Sequence, residues 1–191
     1  MLGYQFKLIK ALAFIYKRAD LSNQFFQDYY ENNHAPLAQL LLSFEGYERN
    51  YVDADLSSAS SSLGSISIFT HQSEAALGLL AEKMGSSAGD TLREDEKKFM
   101  DVDKNFFVFC ESAETVNTEF SMKLFYVAST EQQMKNLDSY PWITKISDNF
   151  VSGHQDILAI PEYGIKGPLR KETITAMTRE IPKIFFTRSF N

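Results

Sequence analysis

The sequence has one cysteine, three histidines, one tryptophan and five prolines in 191 residues. A single cysteine, Cys110, excludes an internal disulfide, and its place in an apolar run points to a buried, inert thiol. His34, His71 and His154 show no short ligand spacing, and there is no Cys-x-x-Cys, so no metal is expected. Any of the three could be an axial haem ligand, but nothing selects one, and no cofactor is expected. No apolar run reaches the ~18 residues of a membrane span. With no Lys/Arg cluster and a net charge of −6, the chain lacks the electrostatics for nucleic acid or anionic lipid. Phosphate-cradling glycine loops and nucleophile elbows are absent too. The start, Met1 to Lys7, lacks a basic region followed by an apolar stretch and a cleavage site, so a cytoplasmic protein is expected.

What is present is aromatic: sixteen phenylalanines and nine tyrosines, placed with regular spacing. Phe6 to Lys17 reads as a strand. Phe6, Leu8, Leu12, Phe14 and Tyr16 share one face, interrupted by Lys10, and Ile9, Ala11, Ala13 and Ile15 share the other. A strand apolar on both sides is covered on both sides. Ser22 caps a helix carrying Phe25, Phe26, Tyr29 and Tyr30, expected to end near Asn33 because Pro36 biases Ala35 to an extended conformation. A further turn runs from Leu37 to Leu42. Strands follow at Phe44 to Val52 and Leu63 to Thr70, the latter with Leu63, Ser65, Ser67 and Phe69 on one face, and a serine-rich loop lies between them. Ser73 caps a helix burying Ala76, Leu77, Leu80, Ala81 and Met84. A flexible break at Ser86 to Asp90 precedes a short helix, Leu92 to Met100, and a strand, Asn105 to Glu111. The order β-α-β-β-α-β predicts an α+β, ferredoxin-like unit with an antiparallel sheet.

The remainder reads as a strand (Ser121 to Ser129), a helix from Glu131 with a Thr130–Gln133 capping box, a short strand (Asp156 to Pro161), a helix (Leu169 to Ile181) and a final strand (Lys183 to Phe190). Short similarities between the opening strands and between the closing strands suggest a degenerate second unit. The organisation is therefore 1–113 as a ferredoxin-like domain and 114–191 as a degenerate repeat or a C-terminal extension covering the sheet. A third strand is not evident in the second part. That favours a homodimer over a pseudo-dimeric monomer.

His34-Ala35-Pro36-Leu37-Ala38 after an aromatic helix, then Gly46-Tyr47-Glu48-Arg49-Asn50-Tyr51, then Asp95-Glu96-Lys97-Lys98-Phe99-Met100-Asp101 before a strand, resemble the EthD-like group of the dimeric α/β-barrel superfamily over residues 5–112. The resemblance implies ferredoxin-like units pairing sheet to sheet into a barrel. It also implies relatives that include cyclases, decarboxylases, metal- and flavin-free monooxygenases and haem-binding proteins. Tyr30 stands where the group often has tryptophan, and Tyr51 near where histidine or arginine is common.

His34 is the main catalytic candidate. A helix C-terminus favours its cationic form, and a tuned imidazole can exchange a proton with a phenol or enol. It can equally cap the helix. Tyr51 is the second candidate, as a hydrogen-bond donor rather than a base. Tyr29, Tyr30 and Tyr47 can orient a ring substituent or serve as core aromatics. Arg49 shares a face with Tyr47 and Tyr51, for a ligand carboxylate or a cross-strand ion pair. Lys10 and Phe14 complete the candidate lining, although Lys10 can also snorkel to a rim. The expected partner is a small aromatic or apolar metabolite, met by a metal-free enzyme of cyclase, dehydratase or decarboxylase type, or by a non-catalytic ligand-binding or assembly protein.

Overall fold

The first strand sets the layering. In the computed structural model, which describes residues 9–57, 62–111, 120–135, 137, 140–168, 170–181 and 183–190, β1 is Ile9–Tyr16. Lys10, Leu12 and Phe14 alternate with Ala11, Ala13 and Ile15, and all six are buried. Leu12 and Phe14 join one apolar cluster and Ala13 and Ile15 another, as a strand covered on both faces requires. Phe6 and Leu8, the loop at 58–61, the 113/114 junction, Leu169 and Pro182 lie outside the described residues.

β2 (Gly46–Val52), β3 (Leu63–His71) and β4 (Phe106–Glu111) join β1 in the order β2-β3-β1-β4, every pair antiparallel. The connection from β1 to β2 is α1 (Asn23–Tyr29), a π-helical turn (Tyr30–His34) and α2 (Ala35–Leu41). α3 (Glu74–Met84) and α4 (Ser87–Glu96) connect β3 to β4. This is the ferredoxin-like unit. β5 (Met122–Tyr126), α5 (Glu131–Lys135), β6 (Ile143–Ser147), β7 (Phe150–Val151), β8 (Glu162–Ile165), α6 (Lys171–Glu180) and β9 (Ile184–Phe190) follow. Their four longer strands take the order β6-β8-β5-β9, which is the first unit's order again.

β9 pairs with β2, so the two sets form one nine-stranded sheet with β6 and β7 at its ends. Only Asp148 and Asn149 separate those two end strands in the chain, and β7 is paired to β4. The ends are thereby tied together, and the sheet curls into a barrel of the dimeric α/β-barrel type, closed within one chain. Leu12, Phe14, Ile66, Ile68, Phe125 and Phe185 pack in its interior. The helices of each half cover the outside over separate cores.

Several expectations are corrected. The strand expected at Asp156 to Pro161 makes only isolated bridges through Ala159, and the ladder forms at Glu162–Ile165 instead. Tyr163 and Ile165 do alternate with Glu162 and Gly164, but over only four residues, too short a run to stand out in the sequence. Ser86 to Asp90 is not a break: Ser86 caps α4, its Oγ accepting from the Ala88 amide. Helix α3 lies lightly on the sheet, with Ala81 exposed. Leu63 faces the interior rather than sharing a face with Ser65, because the β1–β3 register slips by one residue at Ile15/Tyr16. At that bulge a Cβ on Gly64 would lie 2.6 Å from the Phe26 ring, so only glycine admits the phenylalanine of α1. The Thr130–Gln133 capping box is present, with Gln133 Oε1 accepting from the Thr130 amide and Thr130 Oγ1 from the Gln133 amide.

The helix does not end before Pro36. Ala35 is helical (φ −63°, ψ −44°) and its amide donates to the Tyr30 carbonyl, a bond one residue longer than in an α-helix. The longer turn accommodates a proline that has no amide to donate. It also has a geometric effect. Phe26, Tyr30, His34 and Ala38 are all buried at steps of four, and each step on a regular α-helix drifts by about 40°. One wider turn offsets part of that drift and keeps the stripe on the sheet.

Candidate functional site

His34 sits under that stripe, 5% exposed, with the rings of Phe99 and Tyr30 at 5.1 and 5.2 Å. Its Nδ1 is 2.9 Å from Asp95 Oδ2. Asp95 is a hub: its Oδ1 accepts from the Tyr29 hydroxyl at 2.7 Å and from Lys98 Nζ at 3.1 Å. Burial lowers the His34 pKa and outweighs the opposing pull of Asp95, so the imidazole is neutral at pH 7. This reverses the expectation from the helix dipole, because desolvation in the core is the larger effect. Asp95 is held below its usual range: burial opposes this, but the hydrogen bonds from Tyr29, His34 and Lys98 prevail.

A second network adjoins the first. Tyr47 Oη donates to Tyr30 Oη at 2.9 Å, which lies 3.0 Å from Ser67 Oγ, itself 3.1 Å from Ser65 Oγ. Arg49 is not in a cross-strand pair. It grips Glu31 of the π-helical turn in bidentate fashion, Nε to Oε1 at 3.0 Å and Nη2 to Oε2 at 2.8 Å, and donates from Nη1 to the Tyr47 carbonyl at 2.7 Å. Tyr51 Oη donates to the same Glu31 at 2.6 Å. Burial, reinforced by Glu31, pushes the Tyr51 hydroxyl far above its ordinary pKa, so it is a donor at every accessible pH. The carboxylate that Arg49 was expected to seek is the protein's own.

The sheet divides the candidates. His34, Tyr29, Tyr30, Tyr47, Arg49 and Tyr51 are together under the first helices, and Lys10 and Phe14 lie through the sheet, inside the barrel. Two clefts reach the helix side: one of about 290 Å³ bounded by Leu42, Phe44 and Tyr47, and one of about 200 Å³ bounded by Tyr51, Asp53 and Arg188. Asp95 and Glu31 were missed from the sequence. Asp95 carried a signal, since Leu92, Asp95 and Phe99 fall on one helical stripe, and a carboxylate on a buried stripe demands partners. His71 is buried, with its pKa lowered by desolvation, and His154 Nδ1 accepts from the Asp156 amide. Cys110 is buried and its thiol is pushed up to about 12 by burial. Among the described residues no three His, Cys, Asp or Glu side chains gather as a metal site, and no helix is long and apolar enough to cross a membrane.

Residues 18–103 match the EthD domain. No curated protein matches the chain. Among solved structures, a protein from Fusobacterium nucleatum provisionally assigned as a monooxygenase is similar over 99% of this chain and 94% of its own, at 7% identity and a TM-score of 0.57. A chlorite dismutase variant from Candidatus Nitrospira defluvii, in complex with cyanide, is similar over 96% and 91%, at 7% identity and a TM-score of 0.53. An EthD family protein from Bacillus halodurans aligns with 55% of this chain and 97% of its own, at 19% identity and a TM-score of 0.41. At such identities the first two likenesses speak to fold and not to chemistry.

Proposed function

From the match of residues 18–103 to the EthD domain, we propose that the protein is a cytoplasmic, metal-free enzyme acting on a small aromatic or polyketide-like metabolite. The reaction is of cyclase, dehydratase or decarboxylase type, with His34 as general acid/base. The observation that supports this reading is the buried Asp95–His34 pair at 2.9 Å. A carboxylate that accepts the Nδ1 proton fixes the tautomer and leaves the Nε2 lone pair as the base. The lowered pKa keeps that lone pair free at neutral pH. Nε2 takes a proton from a phenol, enol or activated carbon; Asp95 stabilises the imidazolium; the same proton then returns to the product or leaving group. Tyr47 borders the larger cleft and Tyr51 the smaller; their hydroxyls donate within the protein and can still accept a hydrogen bond from a substrate.

The test is conversion of a panel of hydroxyaryl ketones and β-polyketones, followed by liquid chromatography and mass spectrometry. His34→Gln is expected to lower turnover about 10²-fold or more with a small change in melting temperature. A variant that still turns over substrate, or that unfolds, removes the proposal.

A second reading has its own support: the His34 ring is wedged between Tyr30 and Phe99, as a strut would be. On that reading the protein retains or passes on its ligand unaltered, in a binding or assembly role. Native mass spectrometry of the purified protein then finds intact ligand and no product.

A further inference from the structure

The interior of the barrel holds charge that the helix-side site does not use. Lys123 Nζ lies 2.6 Å from Glu48 Oε1 and 2.8 Å from Glu162 Oε1. Lys10 Nζ stands 3.7 Å from Glu162 Oε2, close enough to attract and too far for a hydrogen bond. Glu162 is 2% exposed and its Oε2 accepts no hydrogen bond among the described residues. Asn50 is 0% exposed; its Oδ1 accepts from Ser189 Oγ at 2.7 Å, and its Nδ2 has no acceptor among the described residues. Asn50 and Glu48 are two residues apart on one face of β2, or about 7 Å, and Lys123 ties Glu48 to Glu162. Both orphaned atoms therefore belong to side chains on the interior side of the sheet.

A buried polar atom without a partner costs about 1–3 kcal/mol, and native proteins satisfy such atoms with water or ligand. The polar groups here need a complement. Glu162 Oε2 wants a donor and Asn50 Nδ2 wants an acceptor; Lys10 Nζ stands beside Glu162 with protons to donate. Lys10 and Lys123 already balance Glu48 and Glu162, so a charged guest would disturb a neutral set. The surrounding wall is apolar and aromatic. Leu12, Ile66, Phe125 and Phe185 pack together on that side, and Phe14, stacked on Phe106 at 4.5 Å, presents an edge to Phe185 at 6.2 Å.

We infer that the barrel interior is a second binding site, for a neutral small molecule that carries a hydroxyl and a carbonyl on an apolar, ring-sized body. The hydroxyl donates to Glu162 Oε2, the carbonyl accepts from Asn50 Nδ2 or Lys10 Nζ, and the ring lies against Phe14 and Phe185. The site is separated by the sheet from His34, so it stands whether or not the His34 reading survives.

The experiment titrates the wild-type protein with 4-hydroxyacetophenone, a neutral phenol bearing a ketone, and follows methyl resonances by NMR. Saturable shifts at Leu12 and Ile66, with Ala13 and Ile15 on the opposite face unmoved, are the expected result. Acetophenone, which lacks the hydroxyl, is expected to bind about tenfold more weakly, and Asn50→Leu and Glu162→Gln each to weaken the phenol by about tenfold. His34→Gln leaves its affinity unchanged. The wild-type localisation stands even if either interior variant fails to fold. No saturable shift at the solubility limit, shifts confined to the helix face, or methyl contacts to bound water alone overturn the proposal.

Discussion

The two sides of the first sheet treat polarity differently, although His71 Nε2, beside Phe44 on the helix side, also has no partner among the described residues. Under the helices, Asp95, Glu31, Arg49, Tyr29, Tyr30, Tyr47 and Tyr51 satisfy one another at 2.6–3.1 Å. Inside the barrel, a Lys–Glu chain leaves a carboxylate oxygen and an amide nitrogen unmatched. A saturated network holds residues in place, as a general base requires. An unsaturated one is a demand for a guest. The comparison teaches that the residues with most hydrogen bonds are those already employed, and that a ligand is best sought where bonds are missing.

The most severe way to break the comparison is on the interior side. Lys123→Met leaves Glu48 and Glu162 without their shared cation and is expected to cost about 3–5 kcal/mol in urea unfolding. Adding Glu162→Met is expected to recover part of that loss, because an apolar pair replaces a buried ionic one. On the helix side, Asp95→Ala strands the Tyr29 hydroxyl and the His34 Nδ1 proton, and about 2–3 kcal/mol is expected by the same measurement. Tyr47→Phe removes one neutral hydrogen bond to Tyr30 and is expected to cost about 1 kcal/mol, less than any charged change on either side.

The smallest effect sharpens the comparison through pH. Burial lowers the His34 pKa, so the unfolded chain takes up a proton first, near pH 6.5. The stability this confers is whole above that value and declines as pH falls below it. Asp95 has a depressed pKa; its contribution is whole above about 3.9 and is lost as pH falls through the lower folded value. His34→Gln is expected to flatten the melting temperature between pH 7 and 5. A remnant slope of the same sign remains from His71, whose pKa is also lowered by burial. Asp95→Asn flattens the profile below pH 4 instead.

Much of the architecture was legible because periodicity reports burial. The two-faced strand β1 announced a sheet covered on both sides, and Ser22, Ser73 and Thr130 marked helix starts that the hydrogen bonds bear out. The strand at Glu162–Ile165 was not legible, since its alternation spans only four residues and includes a glycine. A Cβ on Gly164 would lie 2.1 Å from the Phe120 ring, so contact with an aromatic, not propensity, selects that residue. Of the candidate site, the tyrosines and His34 could be grouped by spacing along one helix and one strand. Asp95 and Glu31 reach them only through tertiary packing, 61 residues away for Asp95 to His34 and 18 for Arg49 to Glu31. Sequence spacing does not encode a meeting of that kind. Pro36 misled for a different reason: the wider π-helical turn absorbs a residue that ends a regular helix.

The link of Asp148 and Asn149 between the two end strands has a thermodynamic corollary. A barrel assembled from two chains comes apart on dilution, because mass action sets its stability. Here the strands that would seal such an assembly share one backbone, so their effective concentration is fixed by a two-residue tether. The interior is therefore enclosed at any protein concentration, and whatever enters or leaves it must do so without the halves separating.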